Sequence, residues 1–202
     1  MNIDSVNSAL TPLLFGAGYV AVTIARSYWL WRVDGTDPYV IDHDDPLHRY
    51  VAQVFVAVIA GLFLYFGASA IWPSFANLTG PLDWAINTAT RYASATLMLL
   101  ATIWTGYAQF YMGNSWRIGI PQGEAPMLRT SGPFAISRNP IFLGKLIFVF
   151  GMTLWSPNAV TMSLLVATYI ALEVQIRSEE IYLEHHKPEA YRDYRARVRR
   201  WI

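Results

Sequence analysis

Residues 51–72, "VAQVFVAVIAGLFLYFGASAIW", contain no charged side chain. About 20 apolar residues are enough for a helix to cross the hydrocarbon core of a bilayer. Lipid offers no partner to an open backbone, so helices are the form such a stretch takes there. That stretch points to helices packed in a membrane, and others like it follow. Spans are expected from about Thr11 to Trp31, Val51 to Trp72, Trp84 to Met112, Pro140 to Trp155, and from near Ala159 to beyond Arg177. Only 14% of residues are charged, against about 25% in a soluble domain, and those charges cluster between the spans. The expected fold is an all-α integral membrane protein with about five transmembrane helices. It reads as one membrane domain, with a three-span part (1–112) and a second part (113–202) that carries the candidate chemistry.

Pro73, Asn77, Gly80 and Pro81 mark a loop after the second span, and Ser156, Pro157 and Asn158 a tight turn after the fourth. That turn makes spans four and five a short helical hairpin. Lysine and arginine set the orientation. The 73–90 loop has neither, whereas Arg26, Arg32 and Arg49, then Arg117, Arg129 and Arg138, then Lys187 and the arginines of the tail all fall on one side of a five-span plan. The N-terminus is therefore expected outside and the C-terminus in the cytoplasm, as in a bacterial inner membrane. The N-terminus lacks the basic region of a cleavable leader. The chain has no cysteine, which excludes disulfides and thiol chemistry. In the tail "KPEAYRDYRARVRRWI", Tyr191, Tyr194, Val198 and Trp201 recur at helical spacing among arginines, and a C-terminal interfacial helix is expected there.

Two constellations carry possible chemistry. In "SRNPIFLG" (137–144) an arginine and an asparagine stand directly before an apolar run. Pro140 suits the first turn of a helix, so Arg138 and Asn139 sit at a helix mouth, where free backbone amides favour anions. Lys145 follows a little over one turn later. In "EVQIRSEEIYLE", Glu173, Arg177, Glu180 and Glu184 share one helix face, and Glu179 points about 100° away from Glu180. The hairpin makes these two helix ends neighbours. A third cluster, Asp42, His43, Asp44, Asp45 and His48, lacks a recognisable ligand spacing and is read as a solvated acidic loop, with no metal expected. His185 and His186 are read as surface residues.

The order "SGPFAISRNPIFLG", a short hairpin, then "RSEEIYLEHHKPEAYRDYRARVRRW" resembles the integral-membrane methyltransferases related to isoprenylcysteine carboxyl methyltransferase, a group that includes phospholipid methyltransferases. "MGNSWRIGI" adds to the likeness, which covers about residues 112–202. The resemblance implies that Arg138, Asn139, Pro140, Phe142, Leu143, Gly144, Glu179 and Glu180 enclose S-adenosyl-L-methionine, with Arg138 and Glu180 as the catalytic pair. It implies methyl transfer to a lipophilic small-molecule or lipid-linked acceptor among membrane lipids, with no nucleic-acid partner. Asn139 stands where many members have histidine, Phe142 where tyrosine is commoner, and Lys187-Pro188 where Phe-Gly is frequent. The competing readings are a nicotinamide-dependent membrane reductase of the sterol reductase type and a non-enzymatic transporter or subunit. Gly144 and Gly151 on span four, and Gly106 and Gly113 at the end of span three, permit either close packing or a lateral gap for the acceptor.

Overall fold

The computed structural model describes residues 3–33, 35, 46–116 and 127–202; the side chains of residues 3–8 and 114 are not described. Asp42 to Asp45 and Arg117 to Pro126 therefore lie outside the described residues. The helices are α1 (Ile3–Val33), α2 (Pro46–Ile71), α3 (Thr88–Met112), α4 (Pro140–Trp155), α5 (Ala159–His186) and α6 (Pro188–Arg197). Three segments are long and apolar enough to cross a membrane: Ala9–Val33, Pro46–Ile71 and Ala159–His186. Helix α4 is apolar but shorter, and α3 has the length with Thr, Ser, Tyr and Gln interspersed. The outward faces carry large apolar side chains such as Leu14, Leu64, Ile103 and Val166, all exposed. An all-α bundle with apolar outer faces is the construction of an integral membrane protein.

The packing partners run α1 on α2, α2 on α5, α5 on α4, α4 on α3 and α3 back on α1. Five helices thus close a ring. At one end, the 73–85 segment meets the α4–α5 turn. There the amide of Leu82 donates to the carbonyl of Pro157, and Tyr65 shares a hydrogen bond with Ser156. Asn158 caps α5: its Oδ1 accepts from the amides of Val160 and Thr161, and its Nδ2 donates to Tyr65. An asparagine at this position satisfies amides that the helix leaves open, and here it also ties α5 to α2.

Helices α1 and α2 start earlier than expected, at Ile3 rather than about Thr11 and at Pro46 rather than about Val51, and two further boundaries differ for visible reasons. The third helix starts at Thr88 rather than Trp84, because Asn87 accepts from the Thr90 amide and caps it there. Trp84 lies in a preceding 3-10 turn. In the tail, α6 ends at Arg197, so Val198 and Trp201 are not on the helix. Tyr191 and Tyr194 are buried against Leu30, Ala108, Phe134 and Ile141. The apolar face of α6 is spent on the protein's own core, and the residues after it run back over the bundle.

The glycine seam is packing. A Cβ on Gly144 would overlap Thr105 Oγ1, and one on Gly151 would come within 2.9 Å of Met98 Cγ. One on Gly106 would meet Val22 at 3.0 Å. Gly144 and Gly151 let α4 approach α3 closely and Gly106 lets α3 approach α1, so these glycines offer no gap to an acceptor.

Candidate functional site

The ring encloses a cavity of about 620 Å³, in the range of pockets that hold cofactor-sized molecules. Its polar side chains gather toward the end where α3 finishes and α4 begins. Gln109 comes from α3, Asn139 and Lys145 from the start of α4, and Gln175 and Glu179 from α5. The opposite half is apolar, lined by Leu62 and Phe63 of α2 and by Phe148 and Met152 of α4. Ile24 of α1 and Val56 and Ile59 of α2 line the cavity and are exposed, Val56 at 68%.

The adjacent acids of α5 have different surroundings, as their 100° separation on the helix requires. Glu180 binds Arg138 Nη2 at 2.7 Å and Arg200 Nη2 at 2.7 Å. Arg200 Nη1 also reaches Glu173 at 3.2 Å, and the indole of Trp201 donates to Glu173 at 3.0 Å. Arg177 lies 3.8 Å from Glu173 on the same helix. The hydrogen bond to Glu180 holds the Arg200 guanidinium above its already high ordinary pKa. Burial first, and the nearby charge of Glu180 second, push the Tyr191 phenol up to about 12, so it stays neutral beside that carboxylate.

The backbone joins this clasp. Arg138 Nη1 donates to the carbonyl of Val198 at 2.9 Å, and the Arg138 amide to that of Arg199 at 3.0 Å. Asn139 Nδ2 and Ser137 Oγ both donate to the carbonyl of Arg200. Tyr194 donates its hydroxyl to the carbonyl of Phe134, which holds the 132–135 turn and its aromatic ring against the cavity. Gly132 in that turn has φ +59°, and a Cβ there would strike the Tyr111 ring. Only glycine takes this left-handed position without cost beside such a neighbour.

Glu179 faces the cavity instead. Gln175 Nε2 donates to it at 2.9 Å. Among the described residues no ion pair forms on Glu179 or on Lys145. The Lys145 ammonium lies 4.0 Å from the centre of the Phe55 ring and 5.6 Å from that of Phe142, positions that attract a cation through the ring face.

Of the residues singled out from the sequence, Arg138, Asn139, Pro140, Phe142, Lys145 and Glu179 line the cavity, and so does His48, which lies on α2 rather than in the expected acidic loop. Glu180 does not; it lies in the clasp and touches the cavity wall only through Arg138. Leu143 and Gly144 are also not among the lining residues, Gly144 being turned to α3. Sequence reasoning missed Gln109, and it missed Arg200 and Trp201 as partners of the α5 acids. Glutamine in a helix gives no motif signal, and an arginine in a basic tail looks like all the others.

The comparisons with known proteins now have a place in this geometry. Residues 90–189 match the phospholipid methyltransferase family model. That segment, close to half of the chain, runs from the start of α3 to the start of α6 and contains every sequence-derived site residue. An uncharacterized protein of Haemophilus influenzae is 32% identical over 63 residues, which is 31% of this chain and the whole of that protein. No solved structure matches.

Proposed function

We propose that the protein transfers a methyl group from S-adenosylmethionine to a lipophilic or amphiphilic acceptor, in the manner of the isoprenylcysteine carboxyl methyltransferases and phospholipid methyltransferases. The observation that carries this reading is the graded cavity, polar at one end and apolar at the other, with about half of its lining, including most of the polar end, in the segment that matches the family model. A polar nucleotide-derived cofactor and an apolar chain need such a cavity to meet.

The residues present fit the cofactor. Glu179 brings to the polar end a carboxylate that forms no salt bridge among the described residues and feels Lys145 only at longer range, suited to the amine, the ribose hydroxyls or the sulfonium. Arg138 lines the same end, and its buried Nε has no hydrogen-bond acceptor. Phe134 and Phe142 offer aromatic faces to a purine. When bound, S-adenosylmethionine supplies an electrophilic methyl on sulfur. Lys145, held over Phe55, would pair with an anionic head of the acceptor and orient it. Transfer to an anion requires no proton removal, so placement is the main demand on the protein. The apolar half would take the acceptor's chain, and we place its entry sideways between α1 and α2, beside the exposed Ile24, Val56 and Ile59, because a lipid loses about 0.8 kcal/mol per methylene on leaving the bilayer.

We place α1 to α5 across the membrane, with the clasp and α6 on the cytoplasmic side and the 73–85 segment outside. The arginine-free 73–90 loop supports that orientation. An engineered cysteine at Asn77 should label only from outside. Titration of the detergent-purified protein with S-adenosylhomocysteine and with NADPH tests the activity class. Heat of binding with the first alone is expected; binding of NADPH alone would replace the methyltransferase with a reductase.

A further inference from the structure

Gln109 has a relative exposure of 0%, yet neither its Oε1 nor its Nε2 has a hydrogen-bond partner. Buried side-chain amides are nearly always satisfied, because leaving one open forfeits its hydration with no return. The amide lines the cavity, at the end that also holds Met112, Phe134 and Asn139. It therefore presents a hydrogen-bond donor and an acceptor side by side, with no partner for them among the described residues.

We propose that Gln109 reads the base edge of the cofactor, its Oε1 accepting from the adenine 6-amino group and its Nε2 donating to the adjacent ring nitrogen. This rests on the reading that the cavity takes S-adenosylmethionine. The chemistry favours the purine over other parts of either ligand. A carboxylate or phosphate offers only acceptors, and an ammonium only donors. An adenine edge offers an acceptor next to a donor, the complement of a carboxamide, and glutamine pairs with adenine in this two-point way in nucleic-acid recognition. Phe134 lines the same end of the cavity and could cover the face of a flat ring. Glu179 and Lys145 come from other helices of the ring, leaving the sugar and the sulfonium to them. Gln109 is thus a specificity-determining residue for the base and takes no part in methyl transfer.

The test uses the full chain purified in detergent and two ligands, S-adenosylhomocysteine and its analogue with unsubstituted purine in place of adenine. Unsubstituted purine lacks the 6-amino group, so the donor that Gln109 Oε1 would meet is gone, and turning the carboxamide round cannot replace it. Wild-type protein should bind the adenosyl compound at least tenfold tighter. In Gln109→Leu that preference should collapse toward equality, with adenosyl affinity reduced about tenfold or more. Thermal stability without ligand should be unchanged or higher, because no internal hydrogen bond is lost. Retention of both affinity and base preference in Gln109→Leu would overturn the proposal. So would normal binding of S-adenosylhomocysteine with impaired use of the acceptor, which would assign the amide to the acceptor's head. Failure of both Gln109→Leu and Gln109→Met to fold would make the amide structural and overturn it too. Absence of S-adenosylhomocysteine binding by the wild type would instead remove the methyltransferase reading on which the proposal stands.

Discussion

Glu179 and Glu180 are neighbours in the chain and belong to two different regions of the molecule. Around Glu180, the carboxylates are met by two arginines and an indole, with the last residues of the chain bonded along the 137–139 backbone. Around Glu179, the polar groups outnumber their partners: a carboxylate held by one amide, an ammonium against aromatic rings, and a glutamine with no partner. The first region has the pattern of a closed structural lattice, and the second that of a site waiting for a ligand. Buried polar groups are costly unless matched, so the unmatched ones are retained where something else completes them. Two acids of identical chemistry take different tasks because a helix turns about 100° per residue.

Breaking the clasp is the largest perturbation on offer. Arg138 and Glu180 side chains are only 9% and 12% exposed, and removing one member of such a pair leaves an uncompensated charge. Glu180→Leu or Arg138→Met should cost about 3 kcal/mol or more of stability, read as a large drop in the thermal unfolding midpoint in detergent without ligand. The double variant should recover part of that loss, since apolar replacement of a whole pair is often tolerated. Loss of cofactor affinity with stability intact in the single variants would move Glu180 out of the lattice and into the binding site, merging the two regions.

The next perturbation separates them from the other side. Glu179→Gln keeps the size of the side chain and removes a charge with no ion-pair partner among the described residues. Unliganded stability should stay the same or rise slightly. Affinity for S-adenosylhomocysteine should fall about ten- to a hundredfold, the value of a charge-assisted hydrogen bond of roughly 1.5–3 kcal/mol. Calorimetry and thermal unfolding on the same preparation check both halves. A variant that unfolds easily but binds normally would reverse the assignment of the two acids.

The bundle was legible in the sequence because uncharged runs of span length admit few folds, and the α4 and α5 boundaries followed from Pro140 and the 156–158 turn. The pairing of helix ends was legible too, since that turn is too short for anything but a hairpin. The divergence of Glu179 and Glu180 followed from helical geometry alone. What each acid faces was not legible, because that depends on Arg200 and Lys145, which come from other elements. What the tail's tyrosines meet was not legible for a related reason. Tyr191 and Tyr194 give the same amphipathic period whether they meet lipid headgroups or Phe134, and periodicity does not say which. Gln109 stayed hidden because its significance is the absence of a partner, which only a packed structure reveals. The Asp42–Asp45 cluster lies outside the described residues, so its reading stands as a sequence expectation.

The smallest expected effect concerns the apolar half of the open region. Ile59 lines the cavity and is exposed, in the middle of α2 and on a helix that carries none of the clasp residues. Ile59→Trp adds bulk at the proposed sideways entry without touching Glu179, Lys145 or Gln109. Tryptophan is at ease on a lipid-facing surface, so insertion and stability should be preserved. S-adenosylhomocysteine affinity should match wild type, because the polar end is unaltered. The KM for a long-chain acceptor should rise, by roughly tenfold at most, equivalent to about 1.4 kcal/mol, whereas a short-chain acceptor with the same head should be used as before. The ratio of the two acceptors is the informative quantity, since a general loss of fold would lower both together. An unchanged ratio in Ile59→Trp and in Val56→Trp would mean that the acceptor does not pass between α1 and α2. The apolar half would then be filled from the same end as the cofactor, and the cavity would have one entrance serving both of its chemically different halves.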